Sequence, residues 1–109
     1  GETSEEIKKR VTKAREIQLN RFKDTKRKIF CNAHMETKDI RKYCAIDEES
    51  QNLLKTAIEK FGLSARAYDK ILKVARTIAD LESSDVIKVQ HIAEAIQYRS
   101  LDKDVWQKL

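Results

Sequence analysis

The sequence predicts an all-α fold, about five helices in a small bundle, and three observations carry that prediction. The chain has no proline and only two glycines, whereas an all-β domain of this size needs turns about every 8–12 residues, usually built with Gly or Pro. A parallel α/β domain needs strand-to-helix loops of similar chemistry. Hydrophobic residues make up 40% of the 109 positions, and they recur at intervals of three and four, the period of helices with one buried face. The length suits a single domain spanning 1–109.

The first helix is expected from about Ser4 to Phe22, with Ser4 as its cap and Glu5 and Glu6 in the first turn, where the helix dipole favours negative charge. Ile7, Val11, Ala14 and Gln18, with Ile17 beside them, form one narrow and weakly apolar stripe, so this helix packs by one side only. Residues 23–36 lack a period and read as an irregular connection anchored by Ile29, Phe30 and Met35. Thr37 is expected to cap a short second helix to about Tyr43, with Ile40 and Tyr43 or Cys44 inward.

Asp47 caps the third helix, whose Leu53, Leu54, Ala57, Ile58 and Phe61 make a broad apolar face. Gly62 follows where a left-handed residue ends a helix. Ser64 caps the fourth helix, which runs to Leu81 or Glu82 with Ala67, Ile71, Val74, Ala75 and Ile78 along its buried stripe. Small residues at 67, 75 and 79 permit close approach of a neighbouring helix. A turn at 82–85 leads to a fifth helix from about Val89 to Arg99, with Ile92, Ala95 and Ile96 inward and a poorly capped start at Lys88. Residues 100–109 read as a short tail whose pattern is too brief to assign, although Trp106 and Leu109 have the bulk to dock.

Charge is unevenly spread. The net charge is +5, yet residues 8–28 carry +8 in 21 positions and the rest sum to −3. Such a segment suits a polyanion partner, and equally a solvated helix face followed by a basic loop. Two cysteines are too few for a small secreted scaffold and point to a reducing cytoplasm. No apolar run approaches the roughly 20 residues of a membrane span.

The sequence lacks GxxxxGK[ST], GxSxG, HExxH and CxxC, so an enzyme complete within these residues is not expected. Cys31-x2-His34 with Cys44 and His91 matches no common zinc spacing, and no metal is expected. Arg66 is the oddest placement. It sits two residues after the Ser64 cap, where a cation opposes the helix dipole at a cost of about 0.3–1 kcal/mol. A helix start with free amides and an arginine suits an anion; a solvated arginine paired with Asp69 fits the same residues. Arg76 and Asp80 stand at i, i+4 and read as a surface or interhelix ion pair, while Arg15 and Arg21 read as a solvated face, with binding of acid groups in a partner as the alternative.

The stretch GLSARAYDKILKVARTIADLESSDVIKVQHIAEAIQYR at 62–99 closely resembles the C-terminal helical subdomain, or lid, of magnesium-chelatase-like AAA+ ATPases of the ComM/YifB type. Upstream, KKRVTKAREIQLNRF at 8–22, CNAHM at 31–35 and IRKYCAIDEESQNLL at 40–54 agree, so the resemblance covers about residues 2–102. Its most specific elements are LSARAYDKILKVARTIADL and HIAEAIQYRSLD.

The resemblance implies that Arg66, with Ser64 beside it, faces ATP held by a nucleotide-binding core that precedes residue 1, with Arg66 as the sensor-2 arginine. A triphosphate would then supply the charge that compensates its position. It implies ATP and Mg2+ as cofactors of the full-length protein, none bound tightly by this stretch alone. It further implies that core and neighbouring subunits of a ring as partners, no membrane, and a cytoplasmic DNA-acting motor that promotes branch migration in natural transformation. Lys23, Lys26, Arg27 and Lys28 are candidates for nucleic-acid or subunit contact. Two features depart from relatives: Lys88 at a usual capping site, and the lysine-rich loop at 23–28. Two other readings stand beside this one: a stand-alone basic helical nucleic-acid-binding module, and the lid of a magnesium chelatase motor subunit serving tetrapyrrole synthesis.

Overall fold

Each helix begins and ends where local chemistry dictates. The computed structural model describes residues 1–101, with side chains through Tyr98. The elements are α1 (Ser4–Phe22), a single 3-10 turn (Asn32–His34), α2 (Thr37–Tyr43), α3 (Glu48–Phe61), α4 (Ala65–Leu81) and α5 (Val89–Leu101), with no strand among the described residues. The chain is thus all-α, as its sequence predicts. Trp106 and Leu109 of the expected tail lie outside the described residues, and α5 runs two residues past the expected end at Arg99.

Two caps differ by one residue from expectation. Thr3, not Ser4, caps α1 in a reciprocal box with Glu6, because the box needs a glutamate three positions on and only Thr3 has one at that spacing. Glu36, not Thr37, caps α2, exchanging the same pair of bonds with Asp39. Asp47 and Ser64 cap α3 and α4 as expected. Gly62 closes α3 at φ +61°, with its amide and that of Leu63 on the Ile58 carbonyl. At the end of α4 the Ser83 amide bonds the Asp80 carbonyl and the Ser84 amide the Ala79 carbonyl. This is a Schellman closure with Ser83, at φ +59°, where glycine is usual.

Helix α4 is the hub, packing against α1, α2, α3, α5 and the 3-10 turn. Leu54, Ile71, Ala75, Ala79, Ile92 and Ala95 are wholly buried where α3, α4 and α5 meet. The alanines at 75 and 79 remove the side-chain bulk that would hold neighbours apart. Each buried Leu or Ile contributes roughly 1.5–3 kcal/mol. Ile29, Met35, Ile40 and Cys44 extend this core beneath the loop and α2.

Four expected core positions are instead on the surface. Phe61 and Phe30 are exposed: Phe61 ends its helix, and Phe30 points out of the loop next to the inward Ile29. Ile7 and Val11 are exposed because every residue of α1 before Ala14 stands clear of the bundle.

Candidate functional site

The base of α4 is fixed to α1 by a polar cluster of which the local pattern reveals only the Arg76–Asp80 pair. Asp80, 1% exposed, accepts two bonds from the Arg21 guanidinium at 2.8 and 2.6 Å. It also accepts one from the Asn32 amide at 2.8 Å and one from Arg76 Nε at 3.2 Å. Asn32, equally buried, accepts from Arg21 at 2.9 Å and donates to the Thr77 hydroxyl at 3.0 Å. Its backbone amide donates to Gln18. Arg76 spends its remaining donors on the carbonyls of Ser84 and Asp85, so the Schellman turn is also its binding cradle. Burial pulls the Arg76 guanidinium below its ordinary value, while Asp80 acts in the opposite direction.

Arg21 is therefore not part of a solvated face; it is the forked partner of a buried carboxylate. The Arg76–Asp80 pair forms at the expected spacing but within one helix and inside the molecule, rather than on the surface. One carboxylate shared by two guanidiniums, with every acceptor lone pair directed to a donor, fixes α4, α1 and the 3-10 turn in one arrangement.

The other end of α4 is chemically opposite. Ser64 Oγ accepts from the Ala67 amide at 3.3 Å. Helices α1, α2 and α3 carry carboxylates in their first turns, and α4 carries none. Arg66 occupies the second helical position, exposed, and its guanidinium makes no hydrogen bond or ion pair with any described residue. Asp69, its expected partner, instead accepts from the Thr37 hydroxyl at 3.4 Å. The amides of Ala65 and Arg66 have no acceptor within the helix, as at any helix start. The end of α4 thus presents free donors, a positive dipole and an unpaired guanidinium to the outside.

The basic loop divides into one structural cation and three free to act. Arg27 pairs with Glu36 at 2.8 Å and with Asp39, and so closes the loop onto the start of α2. Hydrogen bonding from Arg27 holds the Asp39 carboxyl below its usual range. Arg27 is thus no free contact for nucleic acid or a subunit. Lys23, Lys26 and Lys28 are exposed. They edge a groove of about 310 Å3 with Leu19, Ile29 and Phe30 among its apolar lining.

The start of α5 is better capped than Lys88 suggested. His91, fully buried, accepts the Lys88 amide at Nδ1 over 2.8 Å and donates from Nε2 to Glu82 at 2.6 Å. A histidine at the third helical position does what a glutamate does in a capping box. Both ring nitrogens are thereby occupied. Burial pushes the Cys44 thiol up to about 11. No three potential metal-ligating side chains gather among the described residues, and no helix there is long and apolar enough to cross a membrane.

The chain is 43% identical over 103 residues to the uncharacterized protein YifB of Salmonella typhimurium, and 42% identical over 103 residues to that of Escherichia coli. It is 44% identical over 101 residues to the competence protein ComM of Haemophilus influenzae. These matches cover 93–94% of this chain but only 19% of each relative, so the chain spans about a fifth of the length of the proteins it resembles. The model of the family described as magnesium chelatase, subunit ChlI C-terminal, matches residues 1–99. With nearly every described residue inside that match, the chain belongs to the family of magnesium chelatase ChlI C-terminal domains.

Proposed function

We propose that this domain is the lid of an ATP-driven AAA+ motor and that Arg66 is its sensor-2 arginine. In this reading the guanidinium reaches the γ-phosphate of ATP and Mg2+ held by a nucleotide-binding core elsewhere in the full-length protein. The observation that carries the reading is the state of Arg66. Arg21, Arg27 and Arg76 are each held by aspartates, while Arg66 stands unpaired at the start of α4, which Ser64 caps and which has no first-turn carboxylate. A planar fork of donors matches phosphate oxygens, and the α4 N-terminus adds its dipole to the same end. Such a group stabilises charge on the phosphoryl group in transfer. The buried Arg21–Asp80–Arg76 cluster then gives α4 the rigidity needed to couple nucleotide state to the angle of the whole lid.

Likeness to ComM supports a further reading for the complete protein: a cytoplasmic ring of subunits that acts on DNA, with the lid touching its own core and a neighbour. The family's description keeps a magnesium chelatase motor subunit as the second reading, since the same lid would serve either substrate. The test is Arg66→Ala in the full-length protein. Steady-state ATP turnover is expected to fall at least about 100-fold, with nucleotide binding largely kept. Unchanged turnover would remove the sensor role. Stimulation of turnover by DNA rather than by a metal-free tetrapyrrole separates the two motors.

A further inference from the structure

We infer that the groove between the end of α1 and the 23–30 loop is a binding site for single-stranded nucleic acid. Phe30 would stack on a base, and Lys23, Lys26 and Lys28 would meet phosphates. The inference rests on the DNA reading above only for the identity of the polymer; the groove itself is independent of Arg66.

Four observations converge on it. Phe30 is 57% exposed, and Leu19 beside it 47%, although the adjacent Ile29 turns inward. The Phe30 ring meets His34 edge-on, with centroids 6.5 Å apart, and is otherwise more than half in solvent; next to free lysines it combines a stacking platform with a backbone-tracking charge, the two components of sequence-tolerant single-strand binding. Every charged residue lining the groove is basic: Lys23, Lys26, Arg27 and Lys28. Arg27 is consumed by Glu36 and Asp39, and these bonds hold the loop in shape while the lysines stay free.

The basic surface also continues beyond the groove. Lys8, Thr12, Arg15 and Leu19 follow one another at i, i+4, i+7 and i+11, which places them on one face of α1. Lys8 and Arg15 are exposed there, so a cationic row leads along α1 to Leu19 and the groove mouth. An extended polyanion fits such a row. An acidic peptide would meet the same charges but would gain nothing from an aromatic face that an aliphatic one would not supply.

The 109-residue chain is titrated against fluorescently labelled oligodeoxythymidylate at about 50 mM salt, with anisotropy as the readout. Phe30→Ala and Phe30→Leu are expected to weaken binding about 10-fold, while Phe30→Trp retains it. Helical content and melting temperature of the variants should match the parent, because the side chain is exposed. Lys26→Gln with Lys28→Gln should lower the steepness of log affinity against log salt by about 1.4, at roughly 0.7 per single-strand phosphate contact. A duplex of equal length should bind more weakly, and oligouridylate in place of oligothymidylate reports which sugar the groove accepts, binding of either supporting the site.

Three results overturn the inference: Phe30→Ala within twofold of the parent, no binding at 50 mM salt, or displacement of the labelled strand by an oligoglutamate peptide as readily as by unlabelled strand. None of these touches the DNA reading of the complete protein. That reading fails separately, if DNA leaves the ATPase rate of the full-length protein unchanged.

Discussion

Replacing Asp80 by asparagine removes one charge without changing shape, and the structure sets the size of the consequence. The carboxylate accepts four hydrogen bonds, three of them from two guanidiniums. Its side chain is wholly buried, and the Arg21 and Arg76 side chains are 12% and 4% exposed. After Asp80→Asn these two positive charges remain near each other with no counter-charge. One carboxylate oxygen also becomes an amide that aims hydrogens at other donors. Breaking a buried pair from one side costs about 3–5 kcal/mol. A domain of this size has about 5–15 kcal/mol in all, and each kcal/mol moves its melting temperature by about 4–8 °C. Asp80→Asn should therefore lower the melting temperature by roughly 12–40 °C, read by far-ultraviolet circular dichroism of the isolated chain, with urea unfolding as the second measure. Arg10→Ala, which removes the exposed Arg10–Glu2 pair, is the control and should change stability by under about 1 kcal/mol. A loss for Asp80→Asn no larger than the control's would refute the reasoning.

Three further expectations follow from particular contacts. Gly62→Ala and Ser83→Gly should shift stability in opposite directions by about 1–2 kcal/mol each in chemical unfolding: both positions have left-handed φ, and a Cβ at Gly62 meets nothing, so only backbone strain is at issue. Hydrogen bonds from His91 and Arg27 hold the Glu82 and Asp39 carboxyls below their ordinary values. Their contribution is thus complete above the usual carboxylate range and is lost as pH falls through the folded values; Asp39→Asn should flatten the fall in stability below about pH 4. With its thiol buried and pushed up to about 11, Cys44 should resist iodoacetamide at pH 8 while the partly exposed Cys31 reacts. Mass spectrometry should find one fast alkylation, and two equal rates would contradict the burial.

The helices were legible because their signals are local. Stripes such as Ile71, Ala75 and Ile78 need only a period, and Asp47, Gly62 and Ser64 need only their neighbours. The Arg76–Asp80 spacing was readable for the same reason. Arg21 was not, since 59 residues separate it from Asp80 and a cation in a basic helix looks the same whether solvated or buried. Phe30 and Ile29 are equally apolar, and only the path of the loop decides which turns inward. The cap of α5 left a faint trace, a histidine three residues after Lys88, which the usual list of capping residues omits. The oddness of Arg66 was legible for a complementary reason: its cost lies in the local helix dipole, whereas any ligand that offsets it lies outside the chain.

The sensor role of Arg66 is tested most directly by a structure of the full-length protein with a non-hydrolysable ATP analogue and Mg2+. The Arg66 guanidinium should lie about 2.7–2.9 Å from a γ-phosphate oxygen, with α4 pointing its first turn at the nucleotide. An Arg66 side chain that faces solvent or a carboxylate of the core, with the nucleotide bound and the lid closed, would contradict it.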